Sequence, residues 1–154
     1  MIGALILLST FVAMEGVAWF THKYIMHKLL WVLHIDHHQP TPGLLEKNDS
    51  FFVIFAVPSF LLILFGAQND FDFRAFIGFG IMLYGFVYSF VHDIIIHQRI
   101  KWLTRSKNVY VMAIRKAHKM HHKHLGKENG ECFGMLLVPF KYFVEASQAK
   151  KNMK

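Results

Sequence analysis

The sequence has almost no cysteine and little charge, and each shortage removes a class of protein. Cys132 is the single cysteine in 154 residues, so the chain forms no internal disulfide and builds no thiolate-based metal site. Only 18% of residues are charged, where a soluble domain carries about a quarter. In their place stand 54% hydrophobic and 16% aromatic residues, a surplus that needs lipid as part of its solvent. No low-complexity linker divides the chain, and its length fits one domain over residues 1–154. Glu-x-x-His pairs are missing too, which argues against a ferritin-like carboxylate bundle.

The apolar surplus is concentrated in three runs, about 2–20, 51–67 and 75–91. At ~1.5 Å per residue they reach roughly 25–28 Å, close to the ~30 Å hydrocarbon thickness of a bilayer. The first has nothing basic before it and no A-x-A site after it, unlike a typical signal peptide. Three buried helices of a soluble protein are the alternative, but too little polar surface remains to solvate them. Glu15, the one ionisable residue in the first run, either hydrogen-bonds within the bundle or lies near a substrate path.

Charge distribution sets an orientation. Residues 68–73 (QNDFDF) are short and acidic and read as the outer turn of a helical hairpin. Every Lys and Arg except Arg74 lies in segment 21–50 or after residue 98, so the positive-inside rule puts both regions in the cytoplasm. Three crossings place them on the same side, as required. The net charge of +7 therefore follows topology and does not point to nucleic acid. Further on, residues 108–122 look helical. Residues 133–144 contain Pro139 and are too short to cross, so they lie at the interface or re-enter. Lys150, Lys151 and Lys154 read as a solvated tail.

Histidine is what the chain has in excess, with eleven residues. Ten form four groups: His22 and His27; His34, His37 and His38; His92 and His97; His118, His121 and His122. The order H-x4-H, H-x2-H-H is thus repeated, each time from the cytoplasmic end of an apolar run. On a helix, positions i, i+3 and i+4 share a face, so three imidazoles of H-x2-H-H can converge on a metal. The H-x4-H residues differ by about 140° on an ideal helix and cannot meet at one atom without local unwinding. Such a pair straddles two metals or contributes from both sides of a widened helix end. Ten imidazoles are too many for one ion and give about five to each of two, leaving an open position on an octahedral ion. Imidazole suits Fe, Zn, Ni and Cu alike, so ligand type alone names no metal. Ionisable groups near membrane depth persist mostly for function. Asp36 and Asp93 are candidates to accept the outer N–H of a bound histidine, or else are helix caps or solvated loop charges, with Glu46 and Asp49 slightly further off. His124 fits neither pattern and is expected at the surface or behind the ligands.

These groups, in this order, resemble the fatty acid hydroxylase and sterol desaturase superfamily of membrane di-iron enzymes, and within it the bacterial-type beta-carotene hydroxylases. The segments that carry the resemblance are EGVAWFTHKYIMH (15–27), EKND (46–49), YGFVYSFVHDIIIHQR (84–99), AHKMHH (117–122) and GKE (126–128). The family commonly has Cys-x-Ser-Phe-Gly where Cys132 here directly precedes Phe133 and Gly134. The resemblance implies an all-α integral membrane bundle whose cytoplasmic helices cap a histidine-rich dimetal site. It implies two Fe ions held by His22, His27, His34, His37, His38, His92, His97, His118, His121 and His122, with O2 as co-substrate. It further implies electrons from ferredoxin and an NAD(P)H-dependent reductase, and 3-hydroxylation of carotenoid rings, β-carotene to zeaxanthin through β-cryptoxanthin. Trp19, Phe20, Tyr84 and Tyr88 could line a substrate channel or pack against lipid and helices. The cytoplasmic Lys and Arg could dock an acidic ferredoxin or anionic headgroups. The rival readings are a hydroxylase or desaturase of a fatty acid or sterol, and a divalent-metal transporter.

Overall fold

A computed structural model of the chain describes residues 1–39 and 45–153, and among them every regular element is helical. Helix α1 (Ile2–Phe20) runs without a break into widened π-helical turns at Thr21–Leu29. Helix α2 (Trp31–His38) and a 3-10 turn (Lys47–Asp49) lead into α3 (Ser50–Ala67). Helix α4 (Phe73–Ser89) continues into a second π-helical stretch, Phe90–Ile96. Helices α5 (Val109–His121) and α6 (Phe140–Asn152) complete the fold.

Among the described residues, three helical stretches are long and apolar enough to cross a membrane: Ile2–Leu29, Lys47–Ala67 and Phe73–Ile96. Only 11%, 17% and 22% of their most apolar windows are buried, so most of that surface faces outward. A water-soluble monomer does not carry so much exposed apolar area, whereas lipid solvates it at no cost. The C-terminal end of α1, the N-terminal end of α3 and the C-terminal end of α4 lie on the same side as the histidines. The turn between α3 and α4 closes the opposite end. There Asp70 and Phe71 adopt left-handed backbone (φ 53° and 55°), and the Asp72 carboxylate caps α4 by accepting the Arg74 N–H at 3.0 Å. The same carboxylate pairs with the Arg74 guanidinium at 2.7 Å, so this base at the end away from the histidines is matched locally.

Helix α4 is the centre of the membrane bundle because it packs on both α1 and α3. Gly78 and Gly80 make this possible, since residues two apart on a helix face nearly opposite ways. A Cβ on Gly78 would stand 2.7 Å from the Ser59 carbonyl oxygen, and one on Gly80 would stand 2.7 Å from that of Leu7. Small residues let membrane helices approach closely enough for dispersion and polar contacts to hold them. Here the buried Ser59 hydroxyl donates to the Gly78 carbonyl at 2.8 Å.

Outside the membrane helices, α5 and α6 pack through Ala113, Ala117, Tyr142 and Ala146. Asn108 starts α5 by accepting the Tyr110 and Val111 N–H groups at 2.9 and 3.3 Å. Residues 133–139 are not helical, and α6 begins only after Pro139. Lys150 and Lys151 belong to the last turn of α6 and not to a tail, a position where cations are favoured by the helix dipole. Lys154 lies outside the described residues.

Gly78→Val is expected to destabilise the bundle by about 1–3 kcal/mol, the usual cost of overpacking. Gly85 sits on the same helix, and a Cβ there would meet nothing within 4 Å, so Gly85→Val should cost less. Unfolding in mixed micelles separates the two, and equal loss in both would rule out close helix approach at Gly78.

Candidate metal centre

The two H-x4-H pairs lie on the two π-helical stretches. Their turns close with i→i+5 hydrogen bonds: Leu30 N–H donates to the Ile25 carbonyl at 2.7 Å, and His97 N–H to that of His92 at 2.8 Å. An α-helix would splay each pair apart, but the wider turn brings the rings together, with centroids 5.2 Å apart for His22 and His27 and 4.5 Å for His92 and His97. The unwinding demanded by the spacing takes the form of an enlarged helix, and each pair stays within one cluster.

His22, His27, His34, His38 and His121 form the first cluster, with one ring nitrogen from each lying within 4.8 Å of all the others. His37, His97, His118 and His122 meet the same criterion in the second. His92 adjoins that second set, its Nε2 being 3.1 Å from His37 Nε2 and its ring 5.0 Å from that of His118. The ten patterned histidines are therefore all brought together, and His124 is not among them. One expectation is corrected. The three imidazoles of H-x2-H-H do not converge on one point: His34 and His38 serve the first cluster while His37 crosses to the second. Likewise His118 and His122 serve the second while His121 crosses to the first. Position i+3 falls about 60° short of i, on the side away from i+4, and so points across a shared wall, where His38 and His122 stack at 4.5 Å and 18°.

The outer nitrogens fix how these rings can act. Nδ1 of His22, His27, His38 and His121 donates to the backbone carbonyls of Phe133, Lys127, His124 and Glu131 at 2.8–3.2 Å. His34 Nδ1 donates to Asn48 Oδ1 at 2.7 Å, His37 Nδ1 to Glu46 Oε2 at 2.8 Å, and His92 Nδ1 to Asp93 Oδ1 at 2.8 Å. All these partners are acceptors only, so Nδ1 carries the proton and Nε2 presents a lone pair. The lone pairs face each other: Nε2 atoms are 3.2 Å apart for His22 and His34 and for His27 and His121, and His38 Nε2 is buried without a partner. Two lone pairs at that distance repel and cannot hydrogen-bond. A cation between them resolves the conflict. Neighbouring ligands of an octahedral ion with metal–nitrogen bonds of about 2.1 Å stand about 3.0 Å apart. The spacings match, including the 2.8 and 2.9 Å from His118 Nε2 to those of His97 and His122. The donor set fits two metal ions.

Burial, foremost, keeps seven of these rings neutral. It pushes His38 down to about 4, His97 and His121 to about 3, and His34 and His122 to about 2, and it moves His37 and His118 the same way. Neighbouring imidazoles add to the effect, since a second positive ring in the same cluster is disfavoured.

Of the two expected carboxylates, Asp93 reaches a histidine and Asp36 does not. Asp36 sits two residues after His34, on the far side of α2, and its Oδ2 accepts the Lys47 N–H at 2.6 Å, tying α2 to the start of α3. Sequence reasoning placed Glu46 further off, yet it bonds His37 directly, and it did not single out Asn48. The four carbonyl acceptors were also missed, because any residue type supplies the same carbonyl. His124 contributes through its backbone and not its imidazole. Between the Glu131 and Phe133 carbonyls, Cys132 takes a left-handed conformation (φ 61°), turning the chain where both face the first cluster.

Glu15 resolves as a bundle anchor. Its Oε1 accepts the N–H groups of Met135, Leu136 and Leu137, each at 2.9 Å, and Oε2 accepts the Tyr84 hydroxyl at 2.7 Å. This holds the non-helical segment, and with it the Phe133 carbonyl, over the first cluster. A cavity of about 340 Å³ runs between the membrane helices from Phe60 and Ile63 to Asn48, His92 and Asp93. Tyr84 and Tyr88 line it, and Tyr88 stacks on His92 at 5.3 Å. Trp19 and Phe20 lie outside, packed on Tyr24 and largely exposed.

The lowered histidine values carry a sign. In the unfolded chain these rings titrate near 6.5, so below that pH the unfolded state takes up protons that the folded state refuses. The metal-free protein is expected to lose stability steadily as pH falls from about 6.5 towards the folded values of about 4 and below. Thermal unfolding in detergent at pH 7.5 and 5.5 tests this, and an equal or higher midpoint at 5.5 would contradict it.

Comparison with known proteins shows the family. The profile of the fatty acid hydroxylase family matches residues 7–143. The beta-carotene hydroxylase of Pantoea ananas is 40% identical over 136 residues, covering 88% of this chain and 77% of that protein. That of Pseudescherichia vulneris is 38% identical over 138 residues, with the same coverage. The chloroplastic beta-carotene 3-hydroxylase of Haematococcus lacustris is 40% identical over 131 residues, 82% of this chain but 40% of that longer protein. No solved structure matches the chain significantly. A match over nearly the whole sequence, on relatives with this identity, shows that the chain is a hydroxylase belonging to the fatty acid hydroxylase family.

Proposed function

We propose that this hydroxylase acts on carotenoid rings, converting β-carotene to zeaxanthin through β-cryptoxanthin. The observation that carries the proposal is the junction of an apolar cavity between membrane helices with the layer of residues that support the histidine clusters. A hydrophobic polyene dissolved in the bilayer enters such a cavity sideways without crossing water. The relatives named for beta-carotene hydroxylation supply the substrate class.

Two irons, one per cluster, are the proposed metals. When bound they supply the activation of O2 that oxidation of a saturated ring carbon requires. The chain's own residues perform the rest. Outer acceptors hold each Nδ1 proton, so the Nε2 lone pairs stay available and oriented. Burial keeps the rings unprotonated at neutral pH. Phe51, Phe55, Ala56 and Ile81 line a cavity that excludes water and receives the ring end of the substrate. Tyr88, stacked on His92, and Ser89 bring polar atoms to the cavity wall near the clusters. Electrons come, in this reading, from ferredoxin and its NAD(P)H-dependent reductase, docked at the basic face. That face lies in the cytoplasm by the positive-inside rule, beside anionic lipid headgroups. A transporter would need ligands along a path across the bilayer, whereas both clusters gather at one end of the helices.

Expression in cells that make β-carotene is expected to yield zeaxanthin with some β-cryptoxanthin, seen by chromatography of extracted pigment. Unchanged β-carotene would defeat the substrate assignment, and oxidised fatty acid or sterol would replace it. His121→Ala should abolish product and lower bound iron while the protein stays in the membrane fraction. Gly85 lines the cavity and a Cβ there meets nothing within 4 Å, so Gly85→Leu is expected to occupy cavity space. That variant should keep its iron and lose at least about tenfold in rate, equivalent to ~1.4 kcal/mol. Full activity would place the substrate elsewhere.

A further inference from the structure

We propose that the two five-histidine clusters are built unequal, the one containing His37 and His92 holding a divalent ion more tightly because carboxylates stand behind two of its ligands. The inference rests on the reading of the clusters as metal sites and deepens it.

The supports of the two clusters differ in charge. In the first, all five outer nitrogens meet neutral acceptors: four backbone carbonyls and the Asn48 side-chain oxygen. In the second, His37 donates to Glu46 and His92 to Asp93, both at 2.8 Å. A carboxylate that accepts an imidazole N–H draws the proton towards itself and makes the opposite nitrogen a stronger donor. It also places negative charge near the ion. Either effect favours the cation, and both act on one side only.

Arg99 organises this negative layer. Its Nη2 lies 2.9 Å from Glu46 Oε2, the same oxygen that accepts from His37, and Nε lies 3.9 Å from Asp93 Oδ1. Nη1 and Nη2 donate to Asp49 Oδ1 at 3.2 Å, and Asp49 Oδ2 in turn accepts the Glu46 N–H at 3.0 Å. Its backbone N–H donates to the Asp93 carbonyl at 2.9 Å, fixing the turn after the second π-helical stretch. One guanidinium thus faces three carboxylates, which it orients without cancelling. Nothing comparable stands behind the first cluster among the described residues, where a loop of carbonyls has no charge to give. Glu46, Asp93 and Arg99 are positioning residues, acting through His37 and His92.

The test is titration of the purified, metal-free full chain in detergent with Co(II), in competition with a chelator of known affinity. Wild type is expected to bind two ions in two classes. The double variant Glu46→Gln/Asp93→Asn keeps an oxygen in reach of each imidazole but removes the charge. It should weaken the tighter class by about 10–100-fold and leave the weaker one in place. Asn48→Asp supplies the reciprocal arm, since it puts a carboxylate behind His34 in the first cluster and should tighten the weaker class. A purely structural role for these side chains predicts losses but no such gain. Should the double variant fail to fold by circular dichroism, Asn48→Asp alone decides. Two equal classes in wild type, or a weaker class unmoved by Asn48→Asp, would overturn the inequality while leaving the metal sites standing. No Co(II) binding at all would instead remove the dimetal reading on which it rests.

Discussion

Buried imidazole lone pairs that face one another across about 3 Å impose the constraint from which the rest of this structure follows. Seven of the rings donate their outer proton to an oxygen, which leaves each of those seven with a bare nitrogen facing inward. Such an arrangement is repulsive by itself. A cation in each centre would make it favourable, and its binding energy would then be coupled to folding. The lowered proton affinity of the rings is the same fact seen from another side, because a site that refuses protons at neutral pH is ready for a metal.

The chain meets this constraint by changing its helical pitch at the membrane boundary. Helices α1 and α4 leave the apolar region and widen into π-helical turns where the first histidine of each H-x4-H pair appears. Widening costs hydrogen-bond quality, and the cost is confined to the turns that carry the paired histidines. The H-x2-H-H helices then lie across these ends and exchange their middle histidines, His37 and His121, between the clusters. That exchange locks the two halves of the sequence together. Each complete cluster draws on both halves.

Lipid solves the remaining problem of a small chain with little polar surface. The membrane helices bury few of their own side chains, and α4 reaches both neighbours through Gly78 and Gly80. Two of the polar side chains within the membrane helices, Ser59 and Glu15, join separate parts of the fold. Glu15 takes three backbone N–H groups and a tyrosine hydroxyl, so its carboxylate is a connection between the bundle and the loop that covers the first cluster. The cavity beside these residues lies between the membrane helices, in keeping with a substrate that never leaves the bilayer.

The helix content, the three membrane runs and the ten clustered histidines were legible in the sequence, because apolar run length and residue spacing are local quantities that survive without coordinates. So was the conflict in the H-x4-H spacing, though not its resolution. Partition of the histidines was not legible: i, i+3 and i+4 share a face in one helix, and only the neighbouring helix decides that His37 and His121 cross. Asp36 and Glu46 exchanged expected roles for the same reason, since proximity along the chain says nothing about which side of α2 a carboxylate faces. The supporting carbonyls of His124, Lys127, Glu131 and Phe133 left no mark in side-chain identity at all. Sequence by itself determined that ten imidazoles would gather at one edge of a membrane bundle. Tertiary structure alone decided how they divide into two centres, because that division depends on directions in space between segments up to 111 residues apart.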